Sequence, residues 1–464
     1  MKILKPRTPS GNSARDISAT GFDDDVFEAL LAQNTEDSVA LAFAKQFEGL
    51  LMFSHAHGAW FEWDGKRWKK KFTRLAYDFA RRMARKAARG EKTPSKSSFA
   101  KGVELMAKAD PRLSRDGSAF DANNYLLNCP DGTHDLRTMT RRAHTPSDNI
   151  TQITAVAPLE NGGEAFRNFL REITLEDCDL EQFLQVSLGA CLSGAVEDHW
   201  IIFWIGTGRN GKNTPADLVR YTLGDYAKKV PANVLMTSAN ERHPTELANL
   251  QGARLALSSE IEGGSFWADA RIKELTGDET ISARYMRGDL FQFERTHKHL
   301  VLGSQRPQVR NTDIAFKSRL RTVPFDVCFV GREDKSLPER LRKKASYVLH
   351  WLMQGHRKWL ENDRKLGTCA AVDAETADYF SSQSTVDMWF AENCRMIPDG
   401  GRAVSVWPKS STLYSNYSSW KNDRGEQAIS QTRWGEQMKS LAVKIKSNGV
   451  RYVGVELMGN SRGY

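Results

Sequence analysis

Apolar residues recur along the chain with strand-like and helix-like spacings, and changes between the two predict where its folded parts begin. Residues 1–35 are mainly polar and predict a flexible tail. Beyond them, the alternation around Trp60 and Trp68 predicts a hairpin, and helical periodicity over 73–89 predicts an amphipathic helix. We therefore expect a basic α+β domain over residues 36–160.

A different pattern follows over residues 161–345. Residues 165–192 have the periodicity of two amphipathic helices, and 200–205 are a flat apolar run that is typical of a buried strand. Strand and helix signals then alternate to about residue 329, which predicts an α/β fold class for the core of the protein. A helical connector is expected over residues 346–383.

Residues 384–464 have the pattern of a separate module. Aromatic residues over 414–420 share one helix face, Ser430 is placed to cap a further helix, and an Asn-Gly pair at 448–449 lies between two short strands. Two helices followed by a hairpin outline a winged helix, which binds either duplex DNA or another protein. In the DNA-binding case, the wing would present Lys444, Lys446 and Arg451.

The distribution of charge singles out one region of the chain. The protein has 464 residues and a net charge of +9, yet residues 66–101 alone hold 14 lysines and arginines against Asp78 and Glu91. That local excess is larger than the charge of the whole chain, and clustered positive charge favours phosphate binding. A nucleic-acid surface and a solvated basic helix face both fit this pattern.

Composition excludes several other classes of protein. No apolar run approaches the ~20 residues of a membrane span, and the N-terminus lacks the apolar core of a signal peptide. The six cysteines contain no C-x-x-C pair, which argues against a zinc knuckle. We expect a cytoplasmic protein with no membrane partner.

The strongest chemical signal is the segment Gly206-Thr-Gly-Arg-Asn-Gly-Lys-Asn213, between the apolar run and a helical pattern. It matches G-x-x-x-x-G-K, in which main-chain N–H groups and a helix N-terminus cradle phosphates while the lysine, here Lys212, reaches the β- and γ-phosphates. A glycine-rich turn that binds nothing is the alternative. Asn213 stands where a Ser or Thr would hold Mg²⁺, and this mismatch bears on hydrolysis more than on binding. The predicted ATP-binding residues are Gly206, Gly208, Asn210, Gly211, Lys212, Asn213, Thr214 and Ser304.

Charged residues follow the next strand signals. A strand signal covers residues 253–257, and Glu260 follows it after two serines. A carboxylate at the end of such a strand can orient the attacking water or hold Mg²⁺ through water. A further strand signal ends just before Ser304, and Arg319 or Arg321 after it could act on the γ-phosphate of a neighbouring subunit. Each could be a solvated strand end, but in this order they predict one active site. We expect both arginines on one side of a strand, so the choice between them stays open.

These motifs resemble those of the superfamily 3 helicases, ring-forming AAA+ ATPases. The likeness is greatest to the phage/plasmid primase–helicase branch, which is related to the poxvirus primase–helicase. Residues 206–213 are similar to the first motif, 255–260 to the second, and 300–307 to the third, in which Ser304 replaces an asparagine that senses the γ-phosphate. The domain before the core and the winged-helix-like end also look like parts of this branch.

A further motif of the family is similar to residues 280–293 and leads into a hairpin that faces the ring pore. Arg284 and Arg287 fall at its basic positions, so the resemblance implies that they contact single-stranded DNA. It also implies ATP and Mg²⁺ as cofactors, with Asn213 and Glu260 at the metal. The implied catalytic residues are Lys212, Glu260, Arg319 and Arg321.

The resemblance implies an ATP-dependent replicative DNA helicase of a phage, prophage or plasmid. Such a protein forms a ring, usually a hexamer, and moves 3′→5′ on single-stranded DNA in the host bacterial cytoplasm. Residues 1–35 are too few for a primase domain, so we expect a separate primase or other replication proteins as partners.

Two departures from the family pattern support a second interpretation. Asn213 and Ser304 both replace residues that handle Mg²⁺ and the γ-phosphate. The chain could therefore be a hydrolysis-impaired, nucleotide-binding ring that binds duplex origin DNA or recruits partners. A third interpretation is an AAA+-like ATPase that acts on protein in phage defence or packaging.

Overall fold

The structure is a computed structural model that describes residues 24–88, 96–237, 245–259, 261, 265–284, 290–309, 314–383, 385–397, 407–425, 427–446 and 449–458. The chain divides into two compact units, 1–134 with 140–153 and 135–139 with 154–464. The sequence pattern places the end of the N-terminal domain at residue 160, and the first unit ends at residue 153. The other three predicted parts all lie within the second unit.

The first unit packs helices against a small sheet around one apolar core. Its strands β1–β4 form a sheet in the order β3-β2-β1-β4, and β5–β7 form a separate sheet in chain order. The predicted hairpin is confirmed as β2–β3, in which Trp63 pairs with Trp68, and the predicted amphipathic helix is α3. The elements are α1 (Asp24–Ala32), α2 (Glu36–Phe47), β1 (Leu51–Ser54), β2 (Ala59–Trp63), β3 (Trp68–Lys70), α3 (Leu75–Ala88), α4 (Ser97–Ala109), β4 (Ser114–Arg115), β5 (Leu126–Cys129), β6 (Gly132–Asp135) and β7 (Thr140–Arg142).

The prediction of a flexible tail is wrong for its last third. Helix α1 occupies Asp24–Ala32, and Leu31 is buried in the core of the first unit with Leu30 packed beside it. The apolar surface that Leu31 and, in part, Leu30 bury against this core favours the ordered helix. The preceding residues, 1–23, lie outside the described part of the chain.

The second unit is built on a five-stranded sheet in the order β14-β8-β13-β10-β9, and all its strand pairs are parallel. The predicted α/β class is confirmed as a mixed fold with a parallel sheet. Its elements are α5 (Glu164–Ile173), α6 (Cys178–Ala190), β8 (Ile201–Ile205), α7 (Asn213–Leu223), β9 (Ala227–Lys229), α8 (Thr245–Ala248), β10 (Leu255–Ser258), α9 (Asp269–Gly277), β11 (Thr280–Arg284), β12 (Leu290–Glu294), β13 (Lys298–Gly303), α10 (Ile314–Arg319), β14 (Leu320–Pro324), α11 (Leu337–Arg342), α12 (Ala345–Glu361), α13 (Ala370–Gln383), α14 (Thr385–Asn393), β15 (Cys394–Met396), α15 (Ser410–Asn422), α16 (Gln431–Gln437), β16 (Lys444–Lys446), β17 (Val450–Tyr452) and β18 (Val455–Leu457).

Strand β8 lies inside this sheet because it carries no polar side chain. All five of its residues are buried, and β13 and β14 pair with it on either side. Parallel sheets covered on both faces select such continuous apolar runs. The carboxyl ends of these strands meet at one edge, where the loop after β8 begins.

The C-terminal segment contains the helices and the hairpin that its pattern predicts. Helix α15 carries the aromatic face, and the Ser430 side chain accepts a hydrogen bond from the Arg433 N–H at the start of α16. Strands β16 and β17 form the hairpin, whose turn residues 447–448 lie outside the described part. Strand β15 pairs with β18, so the order is helix, strand, two helices and hairpin.

Arg451 does not decorate the surface of that hairpin, which corrects the prediction for this residue. Its side chain is buried and its guanidinium donates to the Trp407 carbonyl oxygen. The register pairs Arg451 with Ile445, whereas Lys444 and Lys446 alternate to the other face and are exposed. Among the described residues, no helix has the length and apolarity that crossing a membrane requires.

Candidate functional site

A cavity of about 300 Å³ opens at the carboxyl edge of the parallel sheet. Ligand sites of open α/β sheets lie at this edge because the loops after parallel strands converge there. The structure brings seven of the eight predicted ATP-binding residues to its walls. The lining residues are Gly208, Arg209, Asn210, Gly211, Lys212, Asn213, Thr214, Ser259, Leu302, Gly303 and Ser304.

The eighth predicted residue, Gly206, is the first residue of the loop and does not line the cavity. Close packing requires a glycine at this position. A Cβ atom at this position would collide with the Asn210 amide and the Phe325 carbonyl. Gly208 is required for a different reason, since its φ of +93° lies in the left-handed region that glycine adopts without strain. The close packing at Gly206 and the left-handed backbone conformation at Gly208 therefore both require glycine, and together they determine the shape of the loop 206–213.

Lys212 is held inside the loop by two oxygen atoms. Its Nζ donates to the Gly206 carbonyl oxygen at 3.0 Å and to Asn210 Oδ1 at 3.3 Å, and the residue is only 7% exposed. Burial lowers the pKa of this amine below its ordinary value. A phosphate in the cavity would favour the charged form again, so the lysine is placed to respond to a bound anion.

Helix α7 begins at the floor of the cavity with Asn213. Lys212 is its N-cap residue, and both Asn213 and Thr214 line the cavity within the first turn. The N–H groups of a first turn have no partners within the helix, and together with the helix dipole they favour an anion. The cavity therefore combines the loop, the lysine and the helix terminus that phosphate binding requires.

The opposite wall comes from the ends of two other strands. Ser259 follows β10, and Gly303 and Ser304 end and follow β13, so Ser304 lies at the site as predicted. Glu260 lies outside the described residues, as does Arg287. The side chains of Asn213, Thr214, Ser259 and Ser304 offer oxygen donors, which suit Mg²⁺, although none of the described lining residues is a carboxylate.

Sequence reasoning missed the segment after β14 that fastens the loop. The Asn210 amide donates to the Phe325 carbonyl oxygen at 2.9 Å, and the Phe329 N–H donates to the Arg209 carbonyl oxygen at 2.9 Å. The Arg209 guanidinium also forms an ion pair with Glu333 at 3.0 Å. No local pattern could have found these contacts, because 115 residues separate Asn210 from Phe325.

Arg319 and Arg321 lie at the other end of the sheet. Arg319 ends α10, which corrects the expectation that both arginines lie in a strand, and only Arg321 belongs to β14. The register pairs Leu320, the residue between the two arginines, with Ile201 at the start of β8. The cavity follows Ile205 at the end of β8, and the strand between Ile201 and Ile205 is roughly 13 Å long. Neither arginine lines the cavity of its own chain.

The guanidinium of Arg319 donates to Thr276 Oγ1 at 3.1 Å and to the Ala315 carbonyl oxygen at 2.7 Å. Arg321 lies close enough to Asp198 to lower the pKa of that carboxyl, against the larger effect of burial, which raises it. Arg321 therefore has a carboxylate nearby that competes with any phosphate, whereas within the described part of the chain the hydrogen bonds of Arg319 go to the neutral groups of Thr276 and Ala315.

Those predicted DNA-binding residues that the structure describes lie on two separate hairpins of the second unit. Arg284 is exposed and ends β11, which pairs with β12 in the hairpin that the sequence predicts. Lys444 and Lys446 are exposed on β16, unlike the buried Arg451. Both hairpins present positive charge to solvent.

A group of metal-ligand types lies outside the cavity, in the first unit. Ligand atoms of Cys129, Asp131 and His134 lie within 4.8 Å of one another. The Asp131 carboxylate already accepts from Arg141 at 3.0 Å and contacts His134 Nε2 at 3.2 Å. A nearby guanidinium disfavours a further cation, so we interpret this group as a structural hydrogen-bond cluster of the β5–β6 turn.

Comparison with known proteins identifies relatives of several parts of the chain. Residues 40–175 match the family described as "D5 N terminal like". A protein of Acanthamoeba polyphaga mimivirus that is named as a helicase is 29% identical over 243 residues, which cover 51% of this chain and 25% of that protein. A protein of African swine fever virus that is named as a primase is 21% identical over 351 residues, which cover 70% of this chain and 36% of that protein.

A protein of frog virus 3 that is also named as a helicase is 31% identical over 156 residues, which cover 32% of this chain and 16% of that protein. The chain thus spans between 16% and 36% of the length of these three relatives. Among solved structures, the apo C-terminal region of NrS-1 covers 88% of this chain with a TM-score of 0.49 and 9% identity, which is too weak a likeness to indicate function.

Proposed function

Because the chain belongs to the primase–helicase family of superfamily 3 type, we propose that it is an ATP-dependent DNA helicase of a replication apparatus. In this proposal it forms a ring, usually a hexamer, on an AAA+ core and moves 3′→5′ on single-stranded DNA. The sequence resemblance favours a phage, prophage or plasmid as its source, whereas the relatives above come from viruses of eukaryotes. The proposal covers either kind of replicon.

The observation that carries the proposal is the cavity that Lys212 and the glycine-rich loop line. The lysine is buried, bonded among the described residues to oxygen atoms of its own loop, and adjacent to a helix N-terminus. A structural glycine turn would need neither a buried amine nor a cavity of about 300 Å³ beside it. ATP is the substrate that this arrangement fits best, with its β- and γ-phosphates at the loop.

In the proposed reaction, water attacks the γ-phosphorus, the bond to the bridging oxygen breaks, and ADP and phosphate leave. Lys212 exchanges its bond to the Gly206 carbonyl for phosphate oxygens and neutralises the charge that develops on them. Ser304 and Ser259 contact the γ-phosphate from the wall of the cavity opposite the loop. Glu260 orients the attacking water. Asn213 and Glu260 would hold Mg²⁺, which would supply further positive charge to the phosphates.

The arginine at the far edge of the sheet completes the site of a neighbouring subunit in this proposal. Arg319 cannot reach the cavity of its own chain, which is roughly 13 Å away along the strand. A ring places that edge of one subunit against the cavity of the next. Arg284 on the β11–β12 hairpin would then face the single-stranded DNA in the pore.

The proposal is tested by ATP hydrolysis with and without single-stranded DNA, and by unwinding of a duplex that carries either a 3′ or a 5′ tail. We expect DNA-stimulated, Mg²⁺-dependent turnover and unwinding only of the duplex whose tail supports 3′→5′ movement. Turnover that single-stranded DNA does not change would favour an ATPase that acts on protein.

Replacing Asn213 with serine tests the second candidate function, a nucleotide-binding ring with impaired hydrolysis. Both atypical residues, Asn213 and Ser304, line the same cavity, which is the observation that favours this alternative. For an active helicase we expect Asn213→Ser to raise turnover by roughly tenfold at most, because the hydroxyl is the usual Mg²⁺ ligand and tenfold corresponds to about 1.4 kcal/mol in the barrier. Wild-type turnover equal to that of Lys212→Ala, with recovery in Asn213→Ser, would establish the impaired ring instead.

The C-terminal module is proposed to be a winged helix that binds duplex DNA through its hairpin. Replacing Lys444 and Lys446 together with glutamine should lower duplex affinity and reduce the salt slope by about 0.9 for each phosphate that a lysine no longer neutralises, with no change in stability. Arg451→Gln is the matched control: because this side chain is buried and bonded to Trp407, we expect a loss of about 1–3 kcal/mol in stability. Titration of a fluorescent duplex at several salt concentrations, with thermal melts of the same proteins, separates the two effects. Unchanged affinity in the double variant would favour a protein-binding module.

A further inference from the structure

A surface of the first unit combines basic and aromatic side chains that are exposed or half-buried. We call it the basic–aromatic surface and define it by Lys70, Phe72, Arg74 and Tyr77. It begins on β3, which is an edge strand of its sheet, and continues through the β3–α3 connection into the first turn of α3. It lies within the basic stretch 66–101 that the sequence singles out.

Phe72 is the central feature of this surface, because its side chain is 90% exposed. Burying a phenylalanine side chain is worth about 1.5–3 kcal/mol, so a ring left in solvent gains nothing for the fold. The Lys70 ammonium lies 5.9 Å from the centre of the ring. Phe72 therefore offers an open aromatic face next to a positive charge.

A second aromatic and basic pair continues the surface along α3. The Arg74 guanidinium lies 4.7 Å from the centre of the Tyr77 ring, and Arg74 itself is exposed. Ala76 and Ala80 face the core of the unit. The opposite face of the helix therefore lies in solvent, and Arg74 belongs to that side.

The positive charge of this surface is not neutralised by neighbouring carboxylates. Lys71 is paired with Glu62, and Arg81 and Arg82 are paired with Asp78. Within the described part of the chain, Lys69, Lys70 and Arg74 form no ion pair. The unpaired charges therefore include Lys70 beside the Phe72 ring and Arg74 beside the Tyr77 ring.

We propose that the basic–aromatic surface binds single-stranded DNA, with a base stacked on Phe72 and with Lys70 and Arg74 at the phosphates. Open aromatic faces beside cations are how proteins hold single strands without reading their sequence. A duplex hides the faces of its bases, so this surface distinguishes single strands from duplexes. The inference rests on the proposed function for the identity of the strand, and it goes beyond that function by placing a contact in the first unit.

The test is the affinity of the full-length protein for a fluorescent oligothymidylate, measured without nucleotide. We expect Phe72→Ala to weaken binding about tenfold, since stacking on one ring is worth about 1–3 kcal/mol per base and 1.4 kcal/mol is tenfold. Phe72→Trp should bind at least as well as the wild type. Lys70→Gln and Arg74→Gln should each reduce the salt slope by about 0.7.

Two matched controls come from α4 in the same unit. Leu105 is a 69% exposed apolar side chain and Lys101 is an exposed lysine, and neither belongs to the surface. Leu105→Ala and Lys101→Gln should bind as the wild type does. Photocrosslinking with iodouracil in the oligonucleotide should label peptides that contain Phe72 or Tyr77.

Three outcomes would overturn the inference. They are unchanged affinity in Phe72→Ala, absence of crosslinks to this segment, and an equal loss of affinity for a duplex of the same length, which would describe a purely electrostatic surface. Repeating the titration in Lys212→Ala separates this inference from the proposed function. Binding that depends on Phe72 in Lys212→Ala would support the surface independently of hydrolysis. Wild-type protein that binds through Phe72 but neither hydrolyses ATP nor unwinds DNA would support the surface and refute the helicase.

Discussion

Replacing Lys212 with alanine is expected to lower ATP hydrolysis by at least about a hundredfold. The variant loses the buried ammonium of the phosphate loop, and losing a single preorganised donor at a developing negative charge commonly costs about 10²–10³ in turnover. The fold should remain, because Asn210 keeps its bond to the Phe325 carbonyl and so holds the loop. Turnover with saturating Mg²⁺ and single-stranded DNA is the measurement.

The matched control is Lys343→Ala, which removes an exposed lysine paired with Glu339 on the helix surface. Such exposed pairs contribute about 0.3–0.5 kcal/mol, so neither turnover nor melting temperature should change appreciably. Thermal melts with and without ATP add a second readout, since a ligand that binds the native state raises its melting temperature. Hydrolysis by Lys212→Ala at the wild-type rate would show that this cavity is not the site of the reaction.

Replacing Arg319 with alanine is expected to lower turnover by at least about a thousandfold, and mixing this variant with Lys212→Ala should restore part of it. An arginine supplied to the transition state of phosphoryl transfer is worth about 10³–10⁵ in rate. Arg319 is favoured over Arg321, whose charge is near Asp198, although the sequence alone left both open. Neither variant ring is active alone, because each lacks one component of every site.

Mixed rings contain interfaces at which an intact Lys212 faces an intact Arg319. In equal mixtures, about a quarter of the interfaces in a ring meet this condition. Recovery toward that fraction would place Arg319 in the neighbouring site, and the same experiment with Arg321→Ala tells the two arginines apart. An inactive mixture whose variants still form rings of wild-type size would contradict the assignment, and so would an Arg319→Ala protein with normal turnover.

The phosphate loop could be predicted from sequence because its information is local. Residues 206–213 follow one another along the chain, and glycine spacing, a preceding apolar run and a following helix decide their conformation. The same holds for the β2–β3 hairpin, the β16–β17 hairpin and the capping serine Ser430, each set by a few neighbouring residues. Relatives and the family match then agree with the resemblance drawn from those motifs.

Contacts between distant parts of the chain could not be predicted in this way. Phe325, Phe329 and Glu333 contact the loop because they follow β14, which pairs with β8 and ends beside the loop. The burial of Arg451 depends on the Trp407 carbonyl, which comes from another part of the module. A helix over Asp24–Ala32 becomes ordered only because the core of the first unit accepts Leu31.

The sequence by itself therefore determined the chemistry that this protein can offer: a phosphate loop, a buried strand before it, and clusters of positive charge. The tertiary structure decided how these groups are placed. It brought Ser304 and Ser259 to the loop through parallel strand pairing, carried Arg319 and Arg321 to the opposite edge, and left Phe72 in solvent. The physical reason is that backbone conformation is set by adjacent residues, whereas burial and proximity are set by packing between segments that the chain order does not relate.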